Sequence, residues 1–434
     1  MATSSSPSQS DSNSLADSPA DPNTTAAVPT ESSQLATDSG ISTGVATDKN
    51  SPIESQIPSQ TTSLGQSWLY AGGVLVAIYG LFASIDLLNI GFRSILGSQA
   101  ESLLTLAANP WLSLILGILA TALVQSSSVV TALLVGLVAG GLPIATAIPM
   151  VMGANLGTTI TNTLVSLGYV GNDDDFERGF AAATIHDCFN LLALAIFFPL
   201  ELLLHPLERL SQRLLSQNIA FDLFPESFVS PIDWLLQPAH WLAAYGVNNL
   251  PGPWDALLLF ATSVGGLMIA VTTLGWLMRK WLTTSAKNVI RWGFGCGSDL
   301  GGLVTGAGVT AVLQSSSMTT SLVVPLAAAD IVTLQEIYPF VLGANIGTCV
   351  TALIATLAIN SPIALQLALV HLSYNLLAVI VIYGLPGLRD VPLALAQKLA
   401  TTARHYRIVA VAYVVGVFFL LPFLALWLSL TLSI

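Results

Sequence analysis

The hexapeptide Leu123-Val124-Gln125-Ser126-Ser127-Ser128 returns 189 positions later as Val312-Leu313-Gln314-Ser315-Ser316-Ser317. Each copy sets four consecutive hydrogen-bonding side chains inside a long apolar run. In hydrocarbon, a polar group without a partner costs roughly several kcal/mol. One such cluster is ordinarily explained by serines bonding back to their own helix or joining two helices. Two in matched surroundings predict a binding site built by duplication. Outward from the clusters, Thr121-Ala122 pairs with Thr310-Ala311, and Thr131 with Thr320. Gly153-Ala154-Asn155-Leu156-Gly157-Thr158 pairs with Gly343-Ala344-Asn345-Ile346-Gly347-Thr348, and His186-x-x-x-Asn190 with His371-x-x-x-Asn375. The same polar islands in the same order mean an internal repeat.

Composition sets the class. The chain has 434 residues, 53% hydrophobic and only 9% charged. Soluble domains carry about 25% charged residues, so this is a polytopic membrane protein. The net charge of −11 is concentrated near the N-terminus, where Asp11, Asp17, Asp21, Glu31, Asp38, Asp48 and Glu54 face Lys49 alone. No basic face for nucleic acid results. Cys188, Cys296 and Cys349 lie in apolar stretches without metal-ligand spacing and read as buried thiols. Residues 1–66, rich in Ser, Thr, Pro and Asp, read as a disordered tail without a cleavable signal peptide.

The fold class expected is an all-α polytopic membrane protein of two inverted repeats, each with a re-entrant helical hairpin and a broken transmembrane helix. Repeat 1 occupies 67–200 and repeat 2 occupies 256–385. A Pro-rich connector, 201–255, lies between them, with an amphipathic helix from His205 to Leu215 and interfacial Trp234 and Trp241. Residues 386–434 hold a basic loop, 386–407, and a last span. Single crossings are read at 68–92, 143–168, 179–200, 256–278, 331–358, 363–385 and 408–430. Residues 110–140 cannot cross twice, because the half after Gln125 is too short before Gly140-Gly141-Leu142-Pro143. A hairpin whose tip is the serine cluster fits instead. Arg93 and Glu101 mark a polar break, and Asp173–Arg178 a polar loop. Two glycines, an Asn and threonines at mid-span predict unwinding at Gly153–Thr159 and again at Gly343–Thr348. The Lys/Arg bias of the loops 279–291 and 386–407 puts both inside and the connector outside. The N-terminus is then cytoplasmic, the C-terminus is outside, and the two halves enter from opposite faces.

Inverted repeats with broken helices at mid-depth are the design of secondary transporters. At each tip, serine hydroxyls and the free N–H groups opening the second half-helix make an anion cradle. With no fixed Lys or Arg, it suits an oxyanion accompanied by cations. Unwound backbone at Asn155 and Asn345 offers carbonyl and amide oxygens suited to Na⁺. The glycine motifs also suit a tight helix crossing, and His186 and His371 also suit structural hydrogen bonding. Asp187 is protonated, near an interface, or a cation ligand, since a carboxylate in a spanning helix is costly. Its place in the second half is Leu372.

At these residues the sequence resembles the sodium–phosphate cotransporter family, type II symporters and their bacterial relatives. The likeness rests on the two Gln-Ser-Ser-Ser clusters, the stretch 153–163, Gly343–Thr348, His186-Asp187-Cys188-Phe189-Asn190, and Thr402-Ala403-Arg404-His405-Tyr406-Arg407. It covers about 68–430. It implies Na⁺-driven symport of inorganic phosphate in the inner (plasma) membrane, with no cofactor beyond the coupling ion and no enzymatic activity. Gln125, Ser126, Ser127, Ser128, Gln314, Ser315, Ser316 and Ser317 would hold phosphate. Gln125, Ser128, Thr131, Asn155, Thr158, Asp187, Gln314, Ser317, Thr320, Asn345 and Thr348 would serve Na⁺. An aspartate at the Asp187 position implies electrogenic transport. Two features of animal members are missing, a glycosylated, disulfide-tied connector and a helix beyond 408–430, so the resemblance points to a bacterial protein. Transport of sulfate or arsenate, and a non-transporting phosphate sensor, are the competing readings.

Overall fold

The computed structural model describes residues 64–107, 109–158, 160–216, 234–241, 254–295, 298–359 and 361–432. Expectations for the N-terminal tail and for Cys296 lie outside these residues. Among the described residues, seven helices are long and apolar enough to cross a membrane, and four shorter apolar segments accompany them. The protein is a multi-pass, all-α membrane protein.

Repeat 1 opens with α1, Leu64–Ala107. Arg93 does not break it; its guanidinium turns onto Asn89 Oδ1 (2.8 Å) and the Ala139 carbonyl (2.6 Å), satisfying the charge without unwinding the backbone. The hairpin follows as α2 (Pro110–Val124) and α3 (Ser127–Ala139). Asn109 caps α2 with Pro110 in the first turn, where a missing N–H costs nothing. Then come α4 (Ile144–Leu156), α5 (Ile160–Leu167) and α6 (Asp173–Leu204). The amphipathic α7, Pro206–Ser216, and a short α8 over 234–241 belong to the connector. Trp234 and Trp241 are exposed on α8, which is tied to α1 by His240 and Asp86.

Repeat 2 mirrors this order. It has α9 (Trp254–Gly295), α10 (Asp299–Leu313), α11 (Ser316–Ser321) and α12 (Val324–Ala328). Helix α13 (Leu334–Leu357) starts with a capping box of Thr333 and Glu336. Helix α14 (Pro362–Ala378) continues through a π-helical turn to Tyr383. Helices α15 (Asp390–His405), α16 (Ile408–Val415) and α17 (Leu421–Leu432) close the chain, the last two joined by a π turn.

The inversion is visible where the repeats' first helices meet. Gly73 of α1 lies against Leu277 of α9, Gly80 against Ala270, and Gly91 against Phe260. Rising numbers meet falling ones, so equivalent helices run antiparallel.

Three segments expected as loops are helical. Asp173–Arg178 is the start of α6, capped by Asn172, with three acids in its first turn where the helix dipole favours them. Residues 279–291 continue α9, and 386–407 are mostly α15. Charge marked these stretches as lying outside lipid, which says nothing against a helix. Helix α15 packs Pro392, Ala396, Ala400 and Ala403 inward at helical spacing. Its end is fastened to the start of α6 by Arg404 with Asp174 (2.6 Å) and Glu177 (2.8 Å), and by Arg407 with Asp173.

One expected break moves. Repeat 1 unwinds at Gly157–Thr158, between α4 and α5, as its Thr-Thr-Ile-Thr-Asn run of poor helix formers leads one to expect. In repeat 2 the matching helix α13 runs unbroken through Gly343–Thr348. The interruption there lies instead at Leu322–Val323, in the second arm of the hairpin, just before Pro325.

Candidate functional site

Both hairpin tips are built alike. Gln125 and Gln314 adopt left-handed backbone (φ 59 and 54), stopping α2 and α10. The next residue, Ser126 or Ser315, is extended and caps the following helix, accepting from Val129 N or Met318 N at 3.3 Å. Each cap satisfies one N–H of the first turn, so the N–H groups of Ser127 and Ser128 at the start of α3 have no partner within their own helix. Ser127, Ser128, Ser316 and Ser317 are all buried. The Ser128 hydroxyl is buried with no hydrogen-bond partner.

The glutamines fix each tip to its own repeat. Gln125 Oε1 accepts from Thr161 (3.3 Å) and Gln314 Oε1 from Thr351 (2.8 Å), twin bonds at twin positions. Their amide nitrogens turn back to Ala122 and Ala311. These bonds place both glutamines as braces of the tips.

The α4–α5 break meets the second hairpin. Ser317 Oγ donates to the Thr158 carbonyl (3.2 Å), freed by the α4–α5 break. Asn162 Nδ2 donates to Thr320 Oγ1 (2.7 Å), and Ser321 Oγ donates to Asn162 Oδ1 (2.8 Å). Thr161, beside Asn162, holds the first tip. The first turn of α5 therefore bridges Gln125 of one hairpin and Thr320 and Ser321 of the other. Asn162 and Ser321 were not singled out from sequence, though Asn162 sits in the 153–163 stretch. A usable signal was there: Asn162 has Ala352 as its counterpart, so the duplication loses its symmetry where the halves touch.

Asn155 and Asn345 sit in a different place. Asn155 Oδ1 takes His371 Nε2 (3.0 Å), and its Nδ2 donates to Asn375 Oδ1 (2.6 Å). Asn345 Oδ1 takes His186 Nε2 (2.5 Å), and its Nδ2 donates to Asn190 Oδ1 (2.8 Å). Asn190 Nδ2 also reaches the Asn155 carbonyl (2.9 Å), and Asn375 Nδ2 the Asn345 carbonyl (3.2 Å). Each repeat's asparagine is thus held by the other repeat's histidine and asparagine. Each of the amide oxygens that sequence offered to Na⁺ accepts one hydrogen bond of this bridge. The glycines beside them make the tight crossing: Gly153 and Gly157 face α2, and Gly343 and Gly347 face α10.

The other expected ligands are distributed as follows. Thr131 Oγ1 donates to the Ser128 carbonyl, Thr158 Oγ1 to the Asn155 carbonyl and Thr348 Oγ1 to the Ala344 carbonyl, all local bonds. Asp187 is fully buried on α6. Its Oδ2 accepts from Tyr413 of α16 at 3.0 Å, while Oδ1 has no partner. The contact seen for Asp187 is with the last helix rather than with the serines. Cys188 and Cys349 are free, buried thiols.

The Na⁺/Pi-cotransporter family model matches residues 81–209 and 267–387, one segment in each repeat. The sodium-dependent phosphate transport protein 2A of Mus musculus is 30% identical over 463 residues, covering 90% of this chain and 72% of the relative. The 2A protein of Ovis aries is 31% identical over 432 residues, covering 82% and 67%. The 2B protein of Homo sapiens is 29% identical over 445 residues, covering 81% of this chain but only 64% of its own length. No solved structure matches.

Proposed function

Because the chain belongs to the Na⁺/Pi-cotransporter family, we propose that it carries out sodium-coupled symport of inorganic phosphate, with the anion held between the two hairpin tips. The observation that carries this reading is the convergence of both tips on the α4–α5 break. There, Thr161 just past the break holds Gln125 of the first tip and Ser317 of the second donates to the Thr158 carbonyl, while the buried Ser128 hydroxyl at the start of α3 is left without a partner. Hydroxyl and amide donors without a fixed cation suit phosphate that arrives with its own Na⁺. The relatives' names supply phosphate over sulfate or arsenate.

The remaining polar atoms divide the labour. Backbone carbonyls at the Gly157–Thr158 break, with Ser128, Ser317 and Thr320, serve Na⁺ near the anion. Asp187 serves a further Na⁺ through its free Oδ1. Its charge has no counterpart in repeat 2, so one carboxylate tips the cycle towards net inward positive charge. Alternating access runs through the antiparallel repeats, with the Asn–His bridge as the contact that has to slide. The Lys/Arg bias sets the N-terminus inside and the C-terminus outside, in the cell's inner membrane.

The test is phosphate flux with simultaneous current in vesicles holding the purified chain. Wild type takes up labelled phosphate with Na⁺ and not with choline, sulfate does not compete, and an inward current accompanies uptake. Asp187→Gly keeps Na⁺-dependent uptake and loses the current. Uptake indifferent to Na⁺ sinks the symport; an electroneutral wild type sinks the role of Asp187 alone.

A further inference from the structure

The duplication has produced a second pair of equivalent places, and their chemistry has diverged. One cavity of about 400 Å³ lies where α4 begins and α6 turns into α7; another of about 390 Å³ lies where α13 begins and the helix after α14 turns into α15. Ile148 of the first corresponds by repeat position to Tyr338 of the second, and the His186-to-His371 spacing carried past the repeats matches His205 with Asp390 and Glu208 with Leu393. The second is lined by Arg389, which pairs with Asp299 at 2.9 Å. The first holds Glu201, His205 and Glu208, whose ligand atoms all lie within 4.8 Å of one another.

We propose that Glu201, His205 and Glu208 form a site for a divalent transition-metal ion of the Zn²⁺ class at the elbow between α6 and α7. The donor set is one imidazole and two carboxylates, which satisfies a borderline ion and is poorly matched to Na⁺ or Mg²⁺. The innermost ligand is already oriented. Glu201 is only 4% exposed, and its two carboxylate oxygens accept from Leu207 N (2.8 Å) and Glu208 N (3.2 Å). Each oxygen takes a single N–H, so outward lone pairs remain for a metal, and the backbone bonds act as the orienting shell that metal ligands need. His205 is held in left-handed backbone (φ 48) as the residue that ends α6, and its ring lies beside Glu208. Its Nδ1 lies 3.7 Å from Glu208 Oε2. Ligand atoms around Zn²⁺ stand roughly 3.4 Å apart at ordinary bond lengths. Closing from the present spacing takes only rotation of His205 and Glu208, whose side chains are 51% and 23% exposed. The cavity leaves the fourth position to water. The metal pins α7 onto the end of the helix that carries His186, Asp187 and Asn190. None of this depends on the transport reading.

The experiment uses the full chain, purified with its affinity tag removed and stripped of metal, titrated with Zn²⁺ by calorimetry and by thermal melting. Wild type binds one Zn²⁺ and melts higher in its presence. His205→Asn keeps a residue that tolerates left-handed backbone, and Glu208→Gln keeps the backbone N–H that Glu201 accepts from. Each weakens Zn²⁺ by at least about tenfold and removes the metal-induced rise in melting temperature, while its metal-free melting stays near wild type. His405→Asn, an exposed histidine on α15, changes neither. Equal Zn²⁺ binding by wild type and both variants means an adventitious ion only and overturns the proposal, as does the absence of a saturable site in wild type.

Discussion

Ser128→Ala is expected to cut Na⁺-driven phosphate uptake roughly ten- to hundredfold without lowering the stability of the purified chain. The hydroxyl is buried and has no partner. Burying an unpaired hydroxyl is unfavourable, so its removal leaves stability unchanged or raises it by up to about 1 kcal/mol. On the proposed reading the same hydroxyl donates to a charged phosphate oxygen in the bound state, a bond worth about 1.5–3 kcal/mol. Uptake at subsaturating phosphate therefore falls roughly ten- to hundredfold. The two signs separate binding from packing. A serine that only joined helices would lose stability on truncation, and uptake would then track the amount of folded protein. Melting temperature and uptake per folded molecule, measured on one preparation, decide between them.

Gly153→Ala and Gly343→Ala abolish folded protein in the membrane. A Cβ on Gly153 would stand 2.2 Å from the Leu114 carbonyl oxygen, and one on Gly343 would stand 2.0 Å from the Leu303 carbonyl oxygen. Both obstacles are backbone of a packed helix, which cannot rotate away as a side chain does. Relief requires parting α2 from α4, or α10 from α13, along crossings that also hold Gly117 and Gly306 against the same neighbours. Overpacking a core ordinarily costs about 1–3 kcal/mol. Here two backbones must separate and carry the hairpin tips with them, so the loss exceeds that range and approaches the roughly 5–15 kcal/mol that holds a protein folded. Gly308→Ala is the control: nothing lies within 4 Å of its added Cβ, and the exchange raises helix propensity. Detergent-solubilised monodisperse protein, read by fluorescence-detected gel filtration, vanishes for the first two and persists for the third.

How much of this was legible beforehand follows from the kind of signal each feature leaves. The hairpins were readable because a polar tetrad inside an apolar run has few affordable conformations, and the repeat showed in paired motifs. Loop boundaries were misread at 173–178, 279–291 and 386–407 because charge reports the solvent side of a segment while helicity is set by caps such as Asn172 and by the alanine face of α15. The shifted break in repeat 2 was hidden because Gly343–Thr348 copies its partner almost residue for residue. What differs is the downstream partner, Asn162 against Ala352, and the Pro325 that interrupts α11–α12. The Asn–His bridge was hidden for a related reason. Asn155 and Asn375 are 220 residues apart, and only the folded chain shows that each repeat's asparagine is met by the other repeat's histidine. Polar residues at mid-depth announced that something was bound or bridged; which of the two required the partner's position.

The central claim is that two hairpins from two repeats make one phosphate site. It is tested most directly by equilibrium binding of radiolabelled phosphate to the purified chain in Na⁺, with wild type, Ser128→Ala in the first hairpin and Ser317→Ala in the second. One shared site gives a single phosphate per chain, and either substitution alone weakens that one site roughly ten- to hundredfold. Two phosphates per chain, or single variants that each retain half of the binding, would contradict it.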